Sequence, residues 1–459
     1  MYGLAFAVAA VAFGVLLTLS KWILDYFRDP KGLRRYPGMT WISGITNAPY
    51  MLLSYNGFRS KFMLDLHRKT GNSIIRTGPS SLHFSDMRAI KDIYSHSSKC
   101  TKDDQYAVQA GSHVHLADVV DKPEHARKRK VLSSAYALKN LEDWEFKVAD
   151  KVERLITQFD KRCSDGSQDV VVDYRPWTNY FTIDAVADIG LTHLDFRECL
   201  YANSRATSVF CYSYDWYKRL TKLSKLSPYF KHLWKLNDDW DGIPRYLAAE
   251  RLKRYQAGEK GDDFFQALME DRNGDPHNLE WGDIVAEVTI MMNAGSMTTA
   301  ISMANVMYQL LKNPEKMAKL RQEIDETLDD DEEVAPYEKV KFLPYLRALP
   351  PDGCAFVAHR DETTFPDPET YNPERWLGEA GKDLGPYFIA FSAGARGCIS
   401  RNIAYLEQTV LLASMLHRYD FELADPKFEV GRYEWQNLHL TELPVKIRRR
   451  KRASVEPVS

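Results

Sequence analysis

The chain has few cysteines and no arrangement that would use them as a set. Its six, Cys100, Cys163, Cys199, Cys211, Cys354 and Cys398, contain no C-x-x-C pair. That excludes a secreted disulfide scaffold and zinc held by the usual cysteine pairs, and it favours a reducing compartment. Net charge is scarce too: 61 basic against 63 acidic residues leave −2, so no bulk field draws nucleic acid. A small, uncharged or organic partner is the default. No repeat period appears, and low complexity is confined to the acidic turn Asp329–Glu333 and the basic tail Lys446–Arg452. Both read as solvated faces, the second also as a tail able to graze an anionic membrane. The pair His113 and His115 reads as a surface or hydrogen-bonded loop pair and not as two metal ligands.

What is present begins at the N-terminus. Residues Tyr2 to Ser20, "YGLAFAVAAVAFGVLLTLS", carry no charge and are long enough to cross a bilayer as a helix. No basic residue precedes the run, and it is longer than a signal-peptide core, so an anchor is favoured over a cleaved leader. Lys21, Arg28, Lys31, Arg34 and Arg35 follow, interleaved with Trp22, Tyr26 and Phe27, which turns the rest of the chain to the cytosol by the positive-inside rule. Residues 1–20 are thus expected to form an anchor, 21–40 a basic, proline-bearing hinge, and 41–459 one large domain.

That domain reads as mainly α with a small β-rich part. A Gly78-Pro79 turn in "NSIIRTGPSSLHFSD" (Asn72–Asp86) predicts a hairpin. Helical spacing predicts amphipathic helices over Leu141–Phe159 and Asn313–Leu328. The longest uncharged stretch after the anchor, Val288 to Leu311, carries too many polar residues for lipid, among them Asn293, Ser296, Thr298, Thr299 and Asn305. It is expected instead as the middle of a core helix from Trp281 to Lys312, about 48 Å long. Gly295 and two hydroxyls at its midpoint, "NAGSMTT", suit either close helix packing or a local opening beside a ligand.

The stretch "FSAGARGCISRNIAYLE" (Phe391–Glu407) concentrates chemistry. Gly394 and Gly397 permit a tight turn, and an apolar helix follows, so Cys398 is expected at a helix start, where amides and the dipole favour a thiolate. Such a thiolate serves as a nucleophile or a metal ligand. Arg396 is placed to pair with a carboxylate of whatever the sulfur binds.

The order F-x-x-G-x-R-x-C before a helix bearing Glu407 resembles the haem-binding loop of the cytochrome P450 family, the haem-thiolate monooxygenases. Other segments resemble that family in its own order, including "HARKRKVLSSAY" with His125 and Arg129, "YFTIDAVADIGL" (Tyr180–Leu191), "NAGSMTT" and "HRDETTFPDPETYNPERWL" (His359–Leu377). The resemblance implies the P450 fold, haem b with Cys398 as axial iron ligand, and His125, Arg129 and Arg396 near the propionates, with Phe391 and Gly394 forming the loop. It places Thr298 at the oxygen-binding hydroxyl. It also implies electrons from NADPH through a membrane-bound reductase, an endoplasmic-reticulum location with the domain cytosolic, and a hydrophobic substrate of fungal secondary metabolism. Segments Tyr106–Val120, Val209–Leu220 and Asn437–Thr441 fall where that family lines its substrate pocket.

Three departures from the pattern stand out. Met297 occupies a relay position that usually carries a carboxylate, a loss worth roughly a hundredfold in rate. Ser400 replaces a glycine. After Ala348 the chain passes directly into "LPPDGCAFVAHRDE", omitting roughly forty residues of an expected fold of usual domain size, among them an E-x-x-R helix that would clasp Arg375. A non-catalytic or misfolded remnant is therefore the alternative to a working monooxygenase. A cysteine-nucleophile hydrolase would need His359 or His417 beside Cys398.

Overall fold

The computed structural model describes residues 2–133, 136, 142, 144–163, 170–186, 197–261, 263–271, 273–349 and 356–450. The helices that frame the site are α1 (Tyr2–Arg28), α2 (Lys122–Ser133), α3 (Glu145–Cys163), α4 (Tyr174–Val186), α5 (Trp281–Lys312), α6 (Pro314–Asp325) and α7 (Arg401–Arg418). Among the described residues seven short strands accompany them. β1 (Ile74–Gly78) and β2 (Ser81–Phe84) form the expected hairpin, with a bulge between Arg76 and Gly78. β3 (Val170–Asp173), β7 (Pro444–Arg449) and β4 (Tyr419–Leu423) make an antiparallel sheet with β7 in the middle. β5 (Arg432–Glu434) pairs with β6 (Leu438–Leu440).

Sequence spacing explains the principal helices. Val148, Val152, Leu155, Ile156 and Phe159 recur at helical intervals along α3 and are its buried stripe. They meet Val306, Met307 and Leu310 of α5 and Val410, Leu411 and Met415 of α7, joined by Phe421, Val445 and Ile447 from the three-stranded sheet. α7 is buried without interruption from Leu406 to His417, so it is held by packing on every side. A second apolar cluster surrounds the first half of α5, with Ile284, Val288, Met292 and Met297 against Trp240, Phe264 and Phe265.

α5 has the predicted bounds. Among the described residues it is the helix long and apolar enough to cross a membrane, yet its buried residues run from Ile284 to Leu310 within the globule. It is a core helix, as its internal polar groups required. α1 continues past Ser20 to Arg28. Phe6, Phe13 and Leu16 stand exposed on it, and its Trp22 meets Trp216 edge-on at 6.4 Å.

Candidate functional site

The cysteine loop is shaped by backbone demands before any ligand is considered. The Cys398 N–H donates to Phe391 O at 2.8 Å and the Gly397 N–H to Gly394 O at 3.1 Å, closing the loop on itself. Gly394 has φ +60°, and a Cβ there would lie 1.9 Å from the Tyr94 carbonyl oxygen. Only glycine fits, because any side chain would meet both backbone strain and backbone atoms. Phe391 packs its ring against Tyr405 of α7, centroids 5.3 Å apart. These contacts present an exposed Cys398 whose Sγ lies 3.4 Å from the Ser400 hydroxyl. The expected position at a helix start is corrected: α7 begins at Arg401 with Ser400 as its cap residue. Cys398 precedes the helix, in the loop that leads into it.

The thiol opens on a cavity of about 200 Å³ whose lining comes from α2 (His125, Arg129, Leu132), α5 (Glu287, Ile290, Met291, Ala294, Gly295) and the loop residues Arg396–Ser400. A trench of about 1470 Å³ adjoins it, lined in part by Tyr94, Tyr106, Ala358 and Ile389–Arg396 except Phe391. Lys102, His125, Arg129 and Arg396 line both. They converge there, with Asp118 pulling on Lys102 and Asp121 on Arg396. Burial, with repulsion from Arg396 and Arg129, pushes Lys102 down to about 8 against a smaller opposing pull from Asp118. Burial together with Arg396, Lys102 and Arg129 pushes His125 down to about 4. Mutual repulsion of this kind is relieved by an anionic ligand.

Two of the four basic residues also hold the walls together. Arg129 donates to Gly397 O at 2.7 Å, fastening α2 to the cysteine loop. Arg396 reaches the carbonyls of Val119 and Val120 at 2.7 and 2.8 Å, which holds it at the cavity wall beside Cys398. Lys102 went unforeseen, since nothing in "KCTKDD" distinguishes it from a surface lysine; its ammonium donates to Ala117 O. Glu287 was likewise unforeseen. It is the carboxylate among the cavity's described lining residues, 3.1 Å from the buried Lys128, which also reaches Asp283 at 3.0 Å.

On α5, Thr298 continues the face that carries Glu287, Met291 and Ala294 by helical spacing. It is exposed, and its hydroxyl donates to Ala294 O at 2.8 Å. Met297 is 1% exposed with its sulfur 3.4 Å from Asn437 Nδ2, so its side chain carries no ionisable group to the site. Of the three segments expected at a substrate pocket, Tyr106–Val120 lends Leu116 and Ala117 to the cavity, and Asn437 touches Met297. Cys211 and Tyr212 instead lie in the surroundings of Arg59 and Tyr50.

Residues 350–355, where the chain was expected to omit a helix, lie outside the described residues, as do 187–191 of "YFTIDAVADIGL". Arg375 is not stranded in a dry interior. It is half-buried and donates to the carbonyls of Asp367 at 2.9 Å and Thr370 at 3.5 Å, so the cost of an unpaired buried arginine does not arise. A buried carboxyl that does lack a partner is that of Glu407: it is 2% exposed, its Oε2 has no hydrogen-bond partner among the described residues, and burial pushes its carboxyl up to about 8. His359 accepts from the Ile389 N–H and His417 pairs with Asp325 at 2.8 Å. Both are engaged away from Cys398, which removes the support for a hydrolase.

A mostly helical globule that turns a thiol and a cluster of cations to one apolar cavity is a protein built around a bound group. The chain belongs to the cytochrome P450 family, whose model matches residues 49–349 and 354–449. It is similar to cytochrome P450 monooxygenase BipB of Cochliobolus sativus, 27% identical over 465 aligned positions covering 88% of this chain and 89% of that protein. Cytochrome P450 monooxygenase traB of Penicillium crustosum is 27% identical, with 86% and 87% covered. Benzoate 4-monooxygenase bphA of Aspergillus niger is 24% identical, with 89% and 92% covered. The crystal structure of the cytochrome P450 CYP102L1 shares the fold at a TM-score of 0.69 and 17% identity, covering 86% of this chain and 95% of its own.

Proposed function

We propose that the chain is a membrane-anchored haem-thiolate monooxygenase that inserts one oxygen atom from O2 into a hydrophobic small molecule of fungal secondary metabolism. The observation that carries this reading is an exposed Cys398 set beside a cluster of basic side chains, Lys102, His125, Arg129 and Arg396, on one continuous cavity. Such a donor set suits haem: a sulfur for the iron, and Lys102, His125, Arg129 and Arg396 for the propionates. Haem, when bound, supplies oxygen activation and transfer. The chain's own residues exclude water through Leu132, Ile290 and Met291, orient the substrate by shape, and keep the Thr298 hydroxyl on the face that meets the bound group.

The remaining features belong to the same proposal. Apolar, exposed α1 acts as a single-pass anchor in the endoplasmic reticulum, the basic stretch behind it holds the domain on the cytosolic side, and a membrane-bound reductase supplies electrons from NADPH. The organisation proposed is anchor 1–20, hinge 21–40 and catalytic domain 41–459, with the α1 helix continuing through the first part of the hinge.

The test is the reduced carbon-monoxide difference spectrum of the chain in a yeast membrane fraction. A strongly red-shifted band that is lost in Cys398→Ala supports thiolate ligation. Protein present without that band rejects it. A non-catalytic remnant is favoured by two observations, the interruption of the family match at 350–353 and the orphaned carboxyl of Glu407. It predicts weak haem retention and no turnover with reductase.

A further inference from the structure

The turn of α5 that carries Thr298 is loaded by hydroxyls. Ser296 donates to Met292 O, Thr298 to Ala294 O at 2.8 Å, and a third hydroxyl comes from a different helix: Thr182 Oγ1 of α4 lies 2.7 Å from Ser296 O. Thr182 is 0% exposed. Its single hydroxyl hydrogen has two other acceptors in reach, Thr178 O at 3.1 Å and Asn179 O at 3.2 Å, and Ser296 O is the nearest. One turn further along α4, Val186 lies where a Cβ on Gly295 would meet it at 2.8 Å, and the same Val186 lines the cavity. Thr182 and Val186 are thus one face of α4, pressed against the two residues Gly295 and Ser296 immediately before Met297 and Thr298.

This contact has a directional consequence. In a continuous helix Ser296 O is the acceptor for the Ala300 N–H. A second donor to that carbonyl competes with the ladder bond, and hydroxyls that bond to helix carbonyls favour bending there. Gly295 allows the close approach, because a side chain at 295 would push α4 away and take Thr182 out of range.

We propose that Thr182 is a positioning residue: by drawing on the Ser296 carbonyl from α4, it loosens the α5 ladder at Ala300 and so sets the orientation of the turn bearing Thr298. This rests on the monooxygenase reading only for its catalytic effect; the structural effect stands without it. Removing the hydroxyl strands no partner, since Ser296 O keeps its Ala300 N–H. The expected change is therefore an unusual one, a helix turn that becomes firmer when a hydrogen bond is deleted.

The experiment compares Thr182→Val, Thr182→Ala and Thr182→Ser in the full chain by amide deuterium exchange at Ala300, with product formed per NADPH consumed as the second readout. Val keeps the volume and Ala guards against a packing fault of the branched side chain. Both are expected to slow Ala300 exchange about fivefold, the equivalent of one ordinary hydrogen bond, and to lower product per NADPH severalfold with KM unchanged. Ser is expected to restore both. Unchanged or faster exchange in Val and Ala overturns the proposal, as does slower exchange with product per NADPH intact. Exchange is read without turnover, so a chain inactive in every form fails the monooxygenase reading while Ala300 still decides whether Thr182 loosens the ladder.

Discussion

Replacing Glu407 by methionine offers the sharpest physical test of this structure. The carboxyl sits wholly inside the core on α7, with Oε2 lacking a partner among the described residues, and burial raises it from 4.5 to about 8. Between those values the folded chain holds a proton that the unfolded chain has lost. Stability therefore falls as pH rises through the window, by up to about 1.4 kcal/mol per unit, or about 4–5 kcal/mol in all. That approaches half the stability of an ordinary domain. Met matches the volume and carries no proton, so Glu407→Met is expected to lie within about 1 kcal/mol of the parent at pH 5 and to exceed it by about 3–5 kcal/mol at pH 8. Urea unfolding followed by tryptophan fluorescence at pH 5, 6.5 and 8 measures both curves. Two profiles of equal slope would refute the reasoning, because they would mean that Glu407 ionises in the folded state with a partner or with water.

Other residues carry predictions of their own. Lys102→Met removes one of the four converging basic side chains and is expected to weaken haem retention about tenfold or more, as one charge-assisted contact should, with Lys102→Arg largely restoring it; bound haem per protein after gel filtration reads this. Gly394→Ala drives a Cβ into the Tyr94 carbonyl at a positive φ, and is expected to destabilise the loop by about 1–3 kcal/mol or more and to abolish the carbon-monoxide band. His125, held down to about 4 from 6.5, binds fewer protons folded than unfolded. Its contribution therefore runs opposite to Glu407, with stability rising from pH 4 to 6.5, and His125→Asn should flatten that limb of the haem-free protein's unfolding curve. Ser400→Ala deletes the hydroxyl 3.4 Å from Cys398 Sγ and should lower the reduction potential of the haem-loaded chain, measured by dye-coupled titration.

Much of this architecture was legible from residue order because the relevant signals are local. The bounds of α5 followed from the uncharged run Val288–Leu311 with its flanks out to Trp281 and Lys312, and the first hairpin from a glycine-proline turn. Cys398, Arg396 and Gly394 stood within six residues of one another, so one loop revealed most of the site. Lys102 was invisible because its role depends on a loop folding back between α2 and the cysteine turn. Glu287 was invisible for the same reason: a carboxylate on a helix declares itself as cavity wall only once α2 brings Lys128 to it. Two expectations failed through small shifts in geometry. Ser400 rather than Cys398 heads α7, and Arg375 finds carbonyls in its own meander, so neither the helix-start thiolate nor the stranded arginine materialised.

The placement of β7 between β3 and β4 bears on how the protein is made. Asp173 pairs with Pro444, so β3 leaves the ribosome some 270 residues before the strand that completes it. At about 5–20 residues per second that interval is about a quarter of a minute to a minute. Throughout it β3 has an open edge, and the apolar stripe of α3 lacks the cover that β7 brings. Under the anchoring by α1 proposed above, nascent chains would spend that wait held at a membrane surface, so the anchor would serve the newborn polypeptide ahead of any encounter with substrate.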